Sequence, residues 1–235
     1  MSDLSAAFGE AIRLITTLDG TFLEIVLLSL TVSGSAVALA ALVGIPLGAA
    51  LAAGRFRGQE LAGAIINALM GLPPVVVGLA VYMMLSNSGP LGGFQLLYTP
   101  AAMIIAQTVL VLPIVTALTR QTLADLGREY GEFFRGLGLS RLRVAQALMW
   151  DGRHSLVTAV LAGFGRAIAE VGAVIVVGGN INHVTRTMTT AIALETARGE
   201  LALALGLGIV LLTLALAINA AVMALGRPRT REQEA

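Results

Sequence analysis

Apolar residues run along this chain in stretches too long for the interior of an ordinary water-soluble domain. Five segments, roughly 23–53, 61–85, 100–119, 155–178 and 201–225, consist mostly of Ala, Leu, Val, Ile and Gly. About 20 such residues are needed to cross a bilayer as a helix. The first segment is longer than required and contains Gly44, Pro46 and Gly48, which predicts a tilted or kinked helix. Residues 4–18 have the pattern of a short amphipathic helix ahead of the first span. Residues 120–153 are more polar and predict a helix–turn–helix. Phe133, Phe134 and Leu137 have helical spacing, Gly136 and Gly138 bracket a break, and Ser140 is placed to cap a second helix from Arg141 to Trp150. The predicted fold is all-α, a polytopic membrane helix bundle of about five transmembrane helices with a cytoplasmic coupling helix hairpin. Its predicted parts are an amphipathic extracytoplasmic lead-in (1–20), a transmembrane domain (21–226) and a cytoplasmic polar tail (227–235).

Composition agrees: 57% of the 235 residues are hydrophobic and 12% are charged, against about 25% charged in soluble domains. A net charge of +1 gives no reason to expect a nucleic-acid partner. With no cysteine and two distant histidines, His154 and His183, thiolate metal sites and cysteine nucleophiles are excluded. The first ten residues carry Asp3 and Glu10 but no basic residue, so a secretory n-region is missing. Placing the N-terminus outside puts eleven arginines on the inner side: Arg55, Arg57, Arg120, Arg128, Arg135, Arg141, Arg143, Arg153, Arg227, Arg229 and Arg231. Arg13, Arg186 and Arg198 are then outside, and Arg166 falls within a span. This asymmetry predicts a cytoplasmic C-terminus.

Several residues are candidates for chemistry within this frame. Pro73 and Pro74 interrupt the second span, and each removes an amide donor. Backbone groups freed in lipid need protein or water to satisfy them, so the break either kinks a tightly packed bundle or lines a path; Pro113 is read in the same way. Arg166 and Glu170 lie one helical turn apart. They either neutralise each other and lock the bundle, or Arg166 guides an anion while Glu170 limits its pull. The outer connection offers Asn180, Asn182, His183, Thr185, Arg186, Thr187, Thr189 and Thr190. These donors suit an anion whose oxygens only accept, or a docked external protein, or plain solvent. Ser29, Thr31, Ser33 and Ser35 permit close helix packing more readily than they line a path. The hairpin either docks a soluble partner or lies on the inner surface without one.

The hairpin segment Glu132-Phe133-Phe134-Arg135-Gly136-Leu137-Gly138 resembles the EAA signature of ABC importer permeases. Glu132 and Gly138 match that signature, while Phe133 and Phe134 replace its two small residues and Asp151 stands near its usual proline. Leu72-Pro73-Pro74-Val75-Val76-Val77-Gly78 resembles the double-proline segment of molybdate-type permeases. Arg166 to Ala173 followed by Gly178-Gly179-Asn180-Ile181 resembles the end of their fourth core span. The run from His183 to Thr196 is most similar to the tungstate-specific branch.

The resemblance implies the permease subunit of an ATP-driven importer that moves a tetrahedral oxyanion, tungstate first, into the cytoplasm by alternating access. It is expected in the cell inner membrane, paired with a second permease copy. Two cytoplasmic ABC ATPase subunits and an extracytoplasmic oxyanion-binding protein are the further expected partners, besides the lipid bilayer. No Walker A pattern occurs, so ATP and Mg are expected on the ATPase, with no cofactor on this chain and no metal site. Glu132, Arg135, Leu137, Gly138 and Ser140 are the candidate ATPase-coupling residues. Pro73, Pro74, Arg166, Glu170, Asn180 and Thr185 are the candidate pathway residues. The rival readings are a molybdate or sulfate permease, a membrane-embedded enzyme assembling a site across spans, and a sensor subunit without transport.

Overall fold

The structure, a computed structural model, describes residues 2–17, 19–54 and 57–226, apart from the side chains of residues 2–6, Arg135, Arg141 and Leu225. The predicted polar tail 227–235 and Arg55 lie outside the described residues. Helices account for almost all of the rest, and no strand occurs among the described residues. Three helices are long and apolar enough to cross a membrane: α2 (Gly20–Ala53), α5 (Pro100–Glu129) and α11 (Leu201–Gly226). Two bent pairs raise the number of spans to five if each is one span. α3 (Gln59–Met70) and α4 (Pro74–Leu85) meet at 98°, and α8 (Arg153–Ile168) and α9 (Gly172–Gly178) meet at 60°.

Each boundary has a local cause. Asp19 starts α2 by accepting from the Thr21 and Phe22 amides at 3.0 and 3.1 Å, which satisfies two of the helix's orphan donors. α1 (Ser2–Thr17) packs its Ala11 face against Gly206 of α11, where a Cβ on the glycine would lie 3.5 Å from the Ala11 carbonyl oxygen. The lead-in is therefore more tightly docked than a helix that only lies on a surface. Phe8 and Ile12 remain exposed on its other side. The hydrogen bond from Arg13 to Glu10, 2.8 Å, holds the Glu10 carboxyl below its ordinary pKa.

The expected break at the proline pair forms, but between two helices and not by obstruction inside one. α3 stops at Met70, Pro73 stands extended ahead of α4 (φ −63°, ψ 124°), and Pro74 is the first residue of α4. At that position the missing amide removes nothing, because the first-turn donors have no intrahelical partner anyway. Val76 and Val77 both donate to the Pro73 carbonyl, at 3.0 and 3.2 Å.

α5 is the central rod and touches α2, α3, α4, α8 and α9. It continues ten residues past its predicted end, to Glu129, where Leu123 is buried with Ala49 and Leu148 in an apolar cluster beside the hairpin. Helix pairing with α2 depends on small residues. Gly44 and Gly48 face Thr116 and Thr119, and a Cβ on Gly48 would sit 2.7 Å from the Thr116 carbonyl oxygen. Pro113 is buried within α5.

The outer connection is also more ordered than expected. α10 (Met188–Arg198) is a helix packed on α11 and α2. Thr187 and Thr190 close its N-terminus in a reciprocal capping box, and Ser29 of α2 accepts from the Met188 amide at 2.7 Å.

The Gly48 contact yields a stability prediction. Gly48→Ala pushes a methyl group into a neighbouring helix backbone and lowers stability by about 1–3 kcal/mol. Gly34→Ala, in the same helix with open space around it, changes stability by no more than about +1 kcal/mol, and in the stabilising direction. Thermal unfolding of the detergent-solubilised protein followed by size exclusion measures both; equal midpoints would contradict the packing described.

Candidate functional site

Three regions of the bundle hold the residues singled out in the sequence. The first is the break between α8 and α9. Arg166 is in the last turn of α8, but Glu170 lies beyond the helix, in the break itself. Even so, the side chains meet, with Arg166 donating to Glu170 Oε2 at 2.7 Å. Glu170 Oε1 accepts from the Ala173 amide, 3.1 Å, in the first turn of α9. One carboxylate thus ties both sides of the bend. The Glu170 carbonyl accepts from the Thr189 hydroxyl at 2.8 Å. The Ala167 carbonyl, in the last turn before the break, accepts from the Glu170 amide at 3.1 Å and also from the Gln107 side-chain amide at 3.0 Å. Glu170 is buried at 4% side-chain exposure, while Arg166 is 37% exposed. Pro73 and Pro74 reach this region through the next residue: a Cβ on Gly172 would sit 2.7 Å from Val75 Cγ2, and one on Gly78 would sit 2.7 Å from Ala173 Cα. The two broken spans therefore pack break against break.

The second region is the outer connection. Thr185, a candidate pathway residue, is fully buried; its hydroxyl donates to the Gly178 carbonyl and accepts from the Ile181 amide. Here the hydroxyl is committed to bonds within the loop. Thr187, Thr189 and Thr190 are likewise committed within the protein. Asn180 has positive φ (50°), which Asn adopts more readily than most residues. Its amide donates to the Thr190 carbonyl at 3.3 Å and its carbonyl oxygen is buried without a partner. His183 pairs with Glu24 at 2.7 Å on the exposed surface. Glu195 was not singled out in the sequence. It is a buried carboxylate between Arg186 at 3.5 Å and Arg198 at 3.4 Å. The available signal was two arginines placed either side of one acid in a segment with no other charge.

The third region is the hairpin. α6 (Gly131–Gly136) and α7 (Arg141–Asp151) are joined by a turn in which Gly138 has φ +61°, a conformation that favours glycine. Ser140 occupies the N-cap position of α7, but its side chain makes no capping hydrogen bond, contrary to expectation. The apolar residues divide between two faces. Phe134 packs onto the cluster of Ala49, Leu123 and Leu148 and stacks edge-on with Tyr130 and Phe133. Phe133, Leu137 and Leu142 are exposed at 63%, 56% and 69%. Glu132 is exposed with no ion pair among the described residues. The backbone of Arg135 lies within α6; its side chain lies outside the described residues. Between the hairpin, α5 and the α2–α3 connection lies an open cleft of about 1250 Å³, walled by Gln59, Glu60, Asn67, Arg120, Arg128 and Phe134 among others.

No cluster of three or more His, Cys, Asp or Glu able to hold a metal ion occurs among the described residues. The arrangement combines broken apolar helices with charge at a break, an open cleft beside the hairpin, and an exposed apolar face on the hairpin.

Comparison with known proteins agrees with that description. The family described as binding-protein-dependent transport system inner membrane component matches residues 44–231. The chain is 41% identical over 200 residues to the tungstate uptake system permease protein TupB of Peptoclostridium acidaminophilum, covering 85% of this chain and 88% of that one. It is 41% identical over 183 residues to a probable anion ABC transporter permease protein of Haloferax volcanii, covering 76% and 79%. Identity is 29% over 184 residues to the molybdenum transport system permease protein ModB of Azotobacter vinelandii, covering 70% and 76%. The chain belongs to the binding-protein-dependent transport system inner membrane component family, as an ABC-type permease subunit and not an enzyme.

Proposed function

We propose that this chain is the membrane permease of an ATP-driven importer that carries tungstate, as a tetrahedral oxyanion, into the cytoplasm. The observation that carries the choice of anion is the difference in likeness: 41% identity to a tungstate uptake permease over 85% of the chain, against 29% to a molybdenum permease. Sulfate, molybdate and tungstate share charge and shape, so no contact in this chain is needed to tell them apart.

Coupling runs through the hairpin. Two copies of the chain enclose one path, and an ATPase below each copy receives the exposed face of Phe133, Leu137 and Leu142. Closure of the ATPases on ATP moves α6 and α7. Because Phe134 and Leu148 are packed on Leu123 and Ala49, that movement enters α5 and α2 as a rigid-body displacement. The path then opens outward to accept the anion from an extracytoplasmic binding protein. Hydrolysis returns it to an inward-facing form, in which the 1250 Å³ cleft leads to the cytoplasm. ATP and Mg belong to the ATPase. The hairpin, the cleft and the C-terminus are cytoplasmic in this arrangement, and the lead-in and α10 are outside, the orientation favoured by the arginine asymmetry.

Two experiments test this. In vesicles containing permease, ATPase and binding protein, Glu132→Lys or Gly138→Asp leaves the permease in the membrane at normal abundance but reduces ATP-driven uptake of labelled tungstate to background. Normal uptake would remove the coupling role. The orientation is accessible because the chain has no cysteine. A membrane-impermeant maleimide labels Ser88→Cys and Asn182→Cys in intact cells, and Gln146→Cys only after permeabilisation. The reverse pattern would invert the whole arrangement.

A further inference from the structure

The Arg166–Glu170 pair lies deep in the apolar layer. Its neighbours on α5 are Gln107, Leu110 and Val111. At about 1.5 Å per residue these stand roughly 10 to 17 Å from Pro100, near the middle of a hydrocarbon core about 30 Å thick. No charged residue occurs in α4, α9 or α11; α2 carries Glu24 in its second turn, and α5 carries none before Arg120, roughly 30 Å along the helix from Pro100. A charge at such depth is costly in lipid and is tolerated facing water or protein. Arg166 nevertheless keeps 37% of its side chain exposed. That open part belongs on the path and not on the lipid.

The two members of the pair are held differently. Both carboxylate oxygens of Glu170 are engaged, by Arg166 and by the Ala173 amide, and its carbonyl is held by Thr189. Arg166 has a single bond to Glu170 and donors to spare. Gln107 is 3% exposed, and its carbonyl oxygen has no partner although it borders the same small cavity as Arg166 and Glu170. The Gln107 carbonyl oxygen is thus an acceptor without a partner among the described residues, bordering the cavity that Arg166 and Glu170 also line.

We propose that Arg166 is the mid-membrane contact for the crossing oxyanion, with Glu170 as a fixed counter-charge that keeps the contact weak. The guanidinium donates to the acceptor-only oxygens of a tetrahedral dianion. Glu170 prevents an unopposed arginine from retaining it, since passage requires sites that release as readily as they bind. The proposal rests on the permease reading above and adds to it the residue that touches the cargo.

The test uses the full complex with binding protein and ATPase. Arg166→Gln combined with Glu170→Gln removes both charges but keeps an acceptor for the Ala173 amide, so no unpaired charge is left buried. Labelled tungstate uptake should fall by about tenfold or more with the amount of permease and its thermal midpoint unchanged, while Arg166→Lys should retain part of the uptake. Wild-type rates in the neutral double variant would show that the pair is only a structural lock. A second measurement needs no variant. An arginine-selective dicarbonyl is applied to the wild-type complex with and without tungstate, and modification is read by peptide mass spectrometry. Protection at Arg166 but not at exposed Arg153 is the expected result, and equal modification of Arg166 in both samples would overturn the contact. If the wild-type complex itself takes up no tungstate, the transport reading fails, and that outcome is separate from a permease that transports normally without its Arg166 charge.

Discussion

A peptide group in lipid has no water to turn to, and a span that breaks must find partners for the groups it frees. The bend between α8 and α9 meets that requirement with one side chain at its centre. Glu170 bonds Arg166 on one side and the Ala173 amide on the other, while Gln107 and Thr189 take up the carbonyls of Ala167 and Glu170. Four helices, α5, α8, α9 and α10, therefore converge on the short stretch of backbone from Arg166 to Ala173. The other bend needs less help, since Pro73 and Pro74 bring no amide donors to it, and it rests directly on the first through Gly172 against Val75. Two weak points placed together are covered by one set of contacts, which is why the bundle can hold a charge pair at mid-depth without a large polar network.

The same geometry links the charge pair to the hairpin. α5 carries Gln107 beside Arg166 and, sixteen positions later, Leu123 in the cluster that seats Phe134 and Leu148. At about 1.5 Å per residue that is roughly 24 Å of continuous helix. Gly44 and Gly48 let α2 lie directly against the half of this rod nearer the hairpin. In the coupling proposed above, a push on the hairpin would pass through these packed contacts into α5 and α2.

Much of this was legible from residue pattern. The lengths of α2 and α11 follow from unbroken apolar runs, and the hairpin from glycine placement and aromatic spacing. The breaks were less visible because hydropathy does not fall across them: Leu72 and Val75 flank the prolines, and Ala169 and Val171 flank Glu170. Window averages see one span where the backbone turns by 98° or 60°. The threonines misled in the other direction. Their polarity suggests a solvated loop, but Thr185, Thr187, Thr189 and Thr190 are buried and bond backbone groups, and two of them begin a helix. Glu195 was missed because Arg198 was read only as a charge of the outer side and Arg186 as a donor to an anion, an external protein or solvent, when packing against α11 and α2 turns that connection onto the protein.

The contrast between Glu195 and Glu170 shows what distinguishes a lock from a working contact. Glu195 is buried with two arginines, one of which, Arg186, is itself only 13% exposed. Opposed charges outnumber it, and the cluster is closed against solvent on that side. Glu170 has one arginine, and that arginine is open. A buried carboxylate with an excess of cation is a good fastener for α10, since breaking either pair leaves a second in place. A buried carboxylate balanced by a single, partly exposed guanidinium is a poor fastener, because any anion approaching the open side competes for the same donors. In the short helix α10 the first arrangement ties the segment carrying Arg186 to the helix end carrying Arg198. Placed at mid-depth beside a bend, the second leaves a positive charge available in a region where nothing else carries one.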